Sequence, residues 1–235
     1  MAVYKIADIP MAFDARYKTL RTQSEAYLSK KDTPCFSIEL SEKFLAQKQA
    51  QNPHLSVDEC EYIWSGAQFY SELLNYNGFI LHASAVVLDG AAYLFSAPSG
   101  TGKSTHTAIW QKYFGEDRAR ILNDDKPAIR FINGRFYAYG TPWSGKTDKN
   151  INEKAELKAI GVLSRANENS VALLETKAAL YAILNQTLRP AGNSLPRLLE
   201  LLEKLMETVP VYSVLCNMEP DAARVAYEGM SGVSI

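Results

Sequence analysis

Four side chains near the middle of the chain have the types and spacing that phosphate chemistry requires. The stretch Leu94 to Trp110 reads LFSAPSGTGKSTHTAIW. Within it, Ala97 to Ser104 fits the Walker A phosphate-loop pattern, with alanine in the first position. Gly100 and Gly102 permit positive φ, so successive backbone N–H groups can turn toward phosphate oxygens. The helix that must follow adds its N-terminal dipole. Lys103 can bridge the outer phosphates, and the Ser104 hydroxyl can reach a magnesium ion. Ser99, Thr101 and Thr105 complete the loop residues expected around a nucleotide. Downstream, ARILNDDKPAI places Asp124 and Asp125 at the end of an apolar run. One of two adjacent carboxylates can help hold magnesium, and the other can take a proton from an attacking hydroxyl. NDDKP by itself also reads as a polar turn; the phosphate loop ahead of it favours the catalytic reading.

These residues meet only if the elements between them bring them together. AAYLF is a strand leading into the loop, and a helix follows from about Gly102 to Phe114, ending near Gly115. Between Lys103 and Asp124 there is room for that helix, the short loop GEDRA and one strand. A βαβ crossover of this kind makes the two strands parallel and opens both strand ends on one sheet edge. LHASAVV sets His82 on an apolar strand, where a lone histidine is ordinarily a core residue. A second polar loop, YAYGTPWSGKTDKN, holds Gly140, Trp143, Gly145 and Lys146. Gly145 allows a ligand to approach closely, Lys146 can neutralise a phosphate or carboxylate, and Trp143 can supply an apolar wall; a surface turn with Trp143 folded onto the core reads equally well.

Around this centre, VYKIADIPMAF and CFSIELS read as short strands, and SEKFLAQKQAQ and SVDECEYIWSGAQFYSELLNY as helices, the second opened by a Ser56/Glu59 capping box. GFILHASAVVLDGAAYLFSAP holds two strands joined at Asp89-Gly90, and Asn133-Gly134 marks another tight turn. LKAIGVLSRA and VYSVLCNM are strands; TKAALYAILNQTL, LPRLLELLEKLMETV and DAARVAYEGM are helices. Strands mixed with helices imply an α/β domain, and the hairpins make its sheet mixed. Residues 1–75 read as a small α+β segment packing on a domain formed by residues 76–235.

The order His82, SGTGKST, NDD resembles the catalytic domain of the HPr kinase/phosphorylase family and the related nucleotide site of ATP-dependent phosphoenolpyruvate carboxykinase, most closely over residues 76–150. The resemblance implies a mixed-sheet P-loop kinase domain that uses ATP and Mg2+. It assigns Lys103 and Ser104 to phosphates and metal, Asp125 and Asp124 to general base and metal partner, with their exchange left open, and His82 to assistance beside that pair. The implied reaction is phosphoryl transfer to a hydroxyl, serine or threonine, of a protein or peptide. Alternatives are a nucleotide-binding regulator without turnover, a small-molecule kinase and a carboxykinase-like phosphotransferase.

The 235 residues are 47% apolar and 22% charged, with a formal net charge of −1. This is the composition of a soluble globular chain, without the basic surplus that nucleic-acid binding requires. No apolar run is long enough to span a bilayer, and the N-terminus lacks a secretory pattern, so a cytoplasmic protein is expected. Cys35, Cys60 and Cys216 are scattered and odd in number, which speaks against a disulfide framework or a zinc site. Self-association into a homo-oligomer is compatible with the sequence. Among the remaining candidates, His106 is expected to face solvent or the nucleotide, His54 to lie in a polar loop, Arg189 to end a helix and Trp110 to be core.

Overall fold

A computed structural model describes residues 1–188 and 194–234. The chain opens with a hairpin, β1 (Ala2–Ile6) and β2 (Ile9–Phe13), then α1 (Lys18–Ser24), β3 (Phe36–Ile38), α2 (Glu42–Gln51) and α3 (Val57–Leu73). Next come β4 (Gly78–Ile80), β5 (Ala83–Leu88), β6 (Ala91–Ser96), α4 (Lys103–Phe114), β7 (Ala119–Asn123), β8 (Ala128–Ile132) and β9 (Arg135–Tyr139). The rest is β10 (Lys154–Arg165), β11 (Ser170–Leu173), α5 (Thr176–Gln186), α6 (Leu195–Thr208), β12 (Val211–Cys216) and α7 (Asp221–Ser231). The protein is therefore mixed α/β.

Strands β1 to β3 form a small sheet of their own, and among the described residues the other nine strands form one mixed sheet. Its main path runs β4-β8-β9-β10-β6-β5-β7, with β12 beside β10 and β11 beside β12. Strands β6, β10 and β12 are mutually parallel. Strand β5 is antiparallel to both β6 and β7, so β7 runs parallel to β6 with β5 between them. The C-terminal ends of β6, β7, β10 and β12 consequently open on one edge.

Burial follows the two-residue period of the strands. Ala85, Val87 and Leu94 point into a core shared with Leu198, Leu202 and Leu205 of α6. Val86, Leu88, Tyr93 and Phe95 point the other way, against Trp110 of α4 and Ala223 and Met230 of α7. Trp110 is core, as its spacing implies, with no exposed surface. A third cluster joins the small sheet and α3 to the main sheet: Phe13, Tyr27 and Phe69 pack with Ile80, Tyr139 and Trp143.

The structure departs from the sequence reading in three places. VYKIADIPMAF is a hairpin rather than one strand, turning at Ala7 and Asp8, both at positive φ. GFILHASAVVLDG holds two strands before the Asp89-Gly90 turn, because β4 pairs with β8 whereas β5 pairs with β6 and β7. Only Leu81 and His82 link β4 to β5, a reach of about 10 Å, so the sheet must curl to bring its ends together. His82 therefore lies off the strand, its backbone N–H bonded to the Gln186 carbonyl at 2.8 Å. Strand β11 has no counterpart in the sequence reading; it pairs along β12 at the sheet margin.

Candidate active site

The phosphate-loop residues lie between β6 and α4. Gly100 and Gly102 have φ of 78° and 117°, and nothing lies within 4 Å of where a Cβ would stand on either. Glycine is required there by the backbone, not by crowding. Gly102 also caps α4, leaving the first-turn N–H groups of that helix free for an anion. Ser99, Ser104 and Thr105 are exposed and Thr101 is half-buried. Lys103 is buried, its ammonium donating to the Ala97 carbonyl at 2.9 Å and the Pro98 carbonyl at 3.4 Å. Burial pushes the Lys103 ammonium below its ordinary range, while the charges of Asp125 and Asp124 act to hold it up. That coupling ties the loop electrostatically to the acidic pair. Arg165, at the end of β10, was not singled out from the sequence. Its Nε donates to the Thr101 carbonyl at 3.0 Å and its Nη2 to the Gly100 carbonyl, bracing the loop from outside.

The acidic pair sits on a turn built by Asn123, the last residue of β7 and wholly buried. Its Oδ1 accepts from the backbone N–H groups of Asp125 at 2.9 Å and Lys126 at 2.7 Å, and its Nδ2 donates to the Thr141 carbonyl at 2.9 Å. This is an Asx turn, so NDDKP is a polar turn and also the element that presents two carboxylates. They differ in environment. Asp124 is buried, accepting from Ser84 Oγ at 2.6 Å and Thr147 Oγ1 at 2.8 Å. Ser84 has one proton and gives it to Asp124, so the Thr107 hydroxyl 2.8 Å away is the donor to Ser84. A chain of hydroxyls thus runs from α4 to Asp124. Asp125 is more open, with His82 Nε2 3.2 Å from its Oδ1 and Lys126 Nζ against its Oδ2. Burial pushes the Asp125 carboxyl up, but the His82 hydrogen bond and the Lys126 charge outweigh it and leave it below its ordinary value. The His82 ring is oriented from behind by Gln186 Oε1, 3.2 Å from Nδ1. Asn123, Ser84, Lys126 and Gln186 were not assigned roles from the sequence; Asn123 and Lys126, which flank the pair within NDDKP, carried a local signal, whereas Ser84 and Gln186 carried none.

The second polar loop adjoins this turn. Gly145 has φ of 74°, and a Cβ there would stand 3.1 Å from the Asp125 Cβ. Its N–H donates to Tyr62 Oη at 2.9 Å, and its carbonyl accepts from Gln23 Nε2 at 3.2 Å. Burial holds the Tyr62 phenol well above its usual range, so it stays protonated at neutral pH. Trp143 turns inward: it is buried, stacked on Phe69 with centroids 4.9 Å apart, and donates from Nε1 to the Tyr62 carbonyl at 3.1 Å. It anchors the loop and offers no wall to a substrate. Lys146 is exposed and, with Gly145, Tyr62 and Lys18, lines a cavity of about 550 Å3 between this loop and helices α1 and α3. Gly140 is crowded by the Ile151 carbonyl, a packing role.

His106, expected to face solvent or nucleotide, is buried; its ring meets Phe95 edge-on with centroids 4.4 Å apart. Arg189 lies outside the described residues. Among the described residues no three His, Cys, Asp or Glu side chains gather as a metal-ligand set, and no helix is long and apolar enough to cross a membrane. Ser104 carries an exposed hydroxyl and Asp124 a carboxylate, hard oxygen ligands of the kind that share Mg2+ with substrate phosphates where no all-protein cage is built.

No protein-family model matches the chain, and no curated protein matches it. Among solved structures, it is similar to an HPr(Ser) kinase/phosphatase from Coxiella burnetii, at 10% identity and a TM-score of 0.38, over 63% of this chain and 94% of that one.

Proposed function

We propose that the protein is an ATP- and Mg2+-dependent kinase of the P-loop type, passing the γ-phosphoryl group to a serine or threonine hydroxyl of a protein or peptide. The observation that carries this reading is that the phosphate loop and the Asn123 turn emerge from parallel strands on one sheet edge, with the Lys103 ammonium coupled to both carboxylates. In this reading the loop N–H groups from Ser99 to Thr105 and the Lys103 ammonium hold the triphosphate. Ser104 and Asp124 would hold Mg2+, which when bound neutralises charge on the phosphate oxygens. Asp125 takes the proton from the acceptor hydroxyl; the freed oxygen bonds to the γ-phosphorus as the bond to the β–γ bridging oxygen breaks and ADP leaves. His82 and Lys126 keep the Asp125 carboxylate ionised and ready to accept that proton. Residues 1–75 form a segment that, through α1 and α3, lines the acceptor side, and residues 76–235 form the catalytic domain. Lys18 and Lys146 are placed to receive the acceptor.

The test is transfer of labelled γ-phosphate to a library of seryl and threonyl peptides and to small hydroxyl compounds. Asp125→Asn is expected to keep ATP affinity and lose transfer, whereas Lys103→Ala weakens both. Phosphorylation by Asp125→Asn at the wild-type rate would remove the assigned base. Tight ATP binding with no ADP formed on any acceptor would leave a nucleotide sensor.

A further inference from the structure

The loop after β6 has a second neighbour besides the acidic turn. In strand order, β7 stands on one side of β6, beyond β5, and β10 followed by β12 stands on the other. At the ends of β10 and β12 a cavity of about 420 Å3 opens against the phosphate loop and the first turns of α4. Its walls include Ile109, Ala166, Cys216 and Met218, all apolar or weakly polar. Arg165 forms part of the same wall, and its guanidinium is fixed by the Gly100 and Thr101 carbonyls. A fixed guanidinium plane is a surface on which an aromatic ring stacks.

The far wall is a braced turn. The Asn217 N–H donates to Asn169 Oδ1 at 2.9 Å, its Nδ2 donates to the Asn167 carbonyl at 3.0 Å, and its Oδ1 accepts from the Glu219 N–H at 3.0 Å. Met218 follows on this held turn with 76% of its surface exposed. His106 supplies a different kind of observation. Its Nε2 accepts from Trp110 Nε1 at 3.1 Å, which places the ring proton on Nδ1. Nδ1 is the one buried side-chain polar atom without a partner among the described residues, and the His106 ring lines this cavity. An unpaired buried donor is costly, and here its ring borders a cavity whose lining also carries the polar side chains of Thr101, Thr105 and Asn217.

We infer that this cavity is the nucleoside subsite of the phosphate donor: it takes the base and ribose of a nucleoside triphosphate whose phosphates lie on the loop. This rests on the phosphotransfer reading and extends it, placing the nucleoside on the β10–β12 side of the loop and the acceptor on the β7 side. Met218 and Ile109 enclose the base by its faces, and Arg165 offers a stacking plane.

The experiment compares dissociation constants for Mg·ATP and Mg·tripolyphosphate, which share the phosphate chain and differ by the nucleoside. The wild-type protein is expected to bind Mg·ATP about tenfold tighter. Cys216→Trp, which fills the cavity, is expected to remove that advantage. Met218→Ala, at an exposed position that leaves folding untouched, weakens Mg·ATP about threefold. Tripolyphosphate binding stays at the wild-type value in both. Independently, alkylation of Cys216, separated from Cys35 by peptide mass mapping, slows in the wild-type protein with Mg·ATP and not with Mg·tripolyphosphate. Equal wild-type affinity for the two ligands, unchanged Mg·ATP binding in Met218→Ala and the cavity-filled protein, or no protection of Cys216 overturns the nucleoside subsite while the phosphate loop stands. A wild-type protein that binds neither ligand overturns the phosphotransfer reading itself.

Discussion

The phosphate loop and the acidic turn leave the same sheet edge but are held by different physics. The loop is a matter of backbone: two glycines at positive φ in open space, a helix N-terminus and a lysine whose ammonium rests on the loop's own carbonyls. Nearly everything it needs lies within eight residues, with Arg165, among the described residues, as its side-chain brace from afar. The turn is a matter of side chains brought from elsewhere. Ser84, Thr147, His82 and Thr141 come from other parts of the chain to fix Asn123, Asp124 and Asp125. A loop of the first kind binds an anion wherever it is placed. A turn of the second kind depends on the fold around it, and in the proposed reading it makes the loop half of a reaction site.

The sharpest break in this pairing is at Asp125. Asp125→Asn keeps a side chain of the same size and removes the proposed base. Single-turnover transfer is expected to fall by about 10²- to 10⁴-fold, with nucleotide affinity unchanged by equilibrium titration. An equal loss of affinity would show that loop and turn are not separable. Next is Asn123→Ala. It leaves the part-buried N–H groups of Asp125 and Lys126 without their acceptor, so unfolding free energy is expected to drop by about 2 kcal/mol in denaturant titration. Transfer should fall with it, because both carboxylates lose their bearing. Nucleotide binding by the folded fraction should persist.

Gly100→Ala and Gly145→Ala separate the two regions by a smaller effect. Both force a side chain into positive φ, at a cost of about 1 kcal/mol. At Gly100 the space is open, so little beyond that cost is expected. At Gly145 the added methyl meets Asp125 as well, so this variant should be the less stable of the two in thermal melts and the slower in transfer. Equal behaviour would mean that Asp125 gives way without consequence.

The same contrast explains what the sequence disclosed. Ser56 with Glu59 and the Asp89-Gly90 and Asn133-Gly134 turns are local codes, and each forms as read, while Gly100 and Gly102 take the positive φ that the loop's spacing asks for. The phosphate loop and acidic pair were legible because β6, α4 and β7 follow one another with no room for another path. Ser84, Gln186 and Arg165 were not, since each acts across long chain separations and looks like an ordinary strand, helix or strand-end residue. Trp143 left two readings open for the same reason: Phe69, which captures its ring, lies far upstream. His82 appeared strand-bound because β4 and β5 are consecutive in sequence but are not neighbours in the sheet.

The smallest effect concerns acid stability, and it distinguishes the turn from the loop by sign. The folded Asp125 carboxyl lies below its unfolded value, because the His82 hydrogen bond and the Lys126 charge outweigh burial. A group depressed in the folded state contributes stability above its unfolded pKa and loses it as pH falls through the folded one. The ionised Asp125 therefore supports the fold at neutral pH, and its contribution fades below about pH 4. The buried Lys103 ammonium is displaced downward too, by burial above all, but for a cation this means that folding is opposed wherever Lys103 is charged, at acid and neutral pH alike. Melting temperatures of the wild-type protein and Asp125→Asn, followed from pH 7 down to pH 3, should therefore converge as the acid weakens the wild type, whereas those of wild type and Lys103→Met should keep a constant separation until the carboxylates that support Lys103 begin to protonate near about pH 4. Parallel acid profiles for wild type and Asp125→Asn would mean that the His82 and Lys126 contacts do not hold Asp125 ionised in solution.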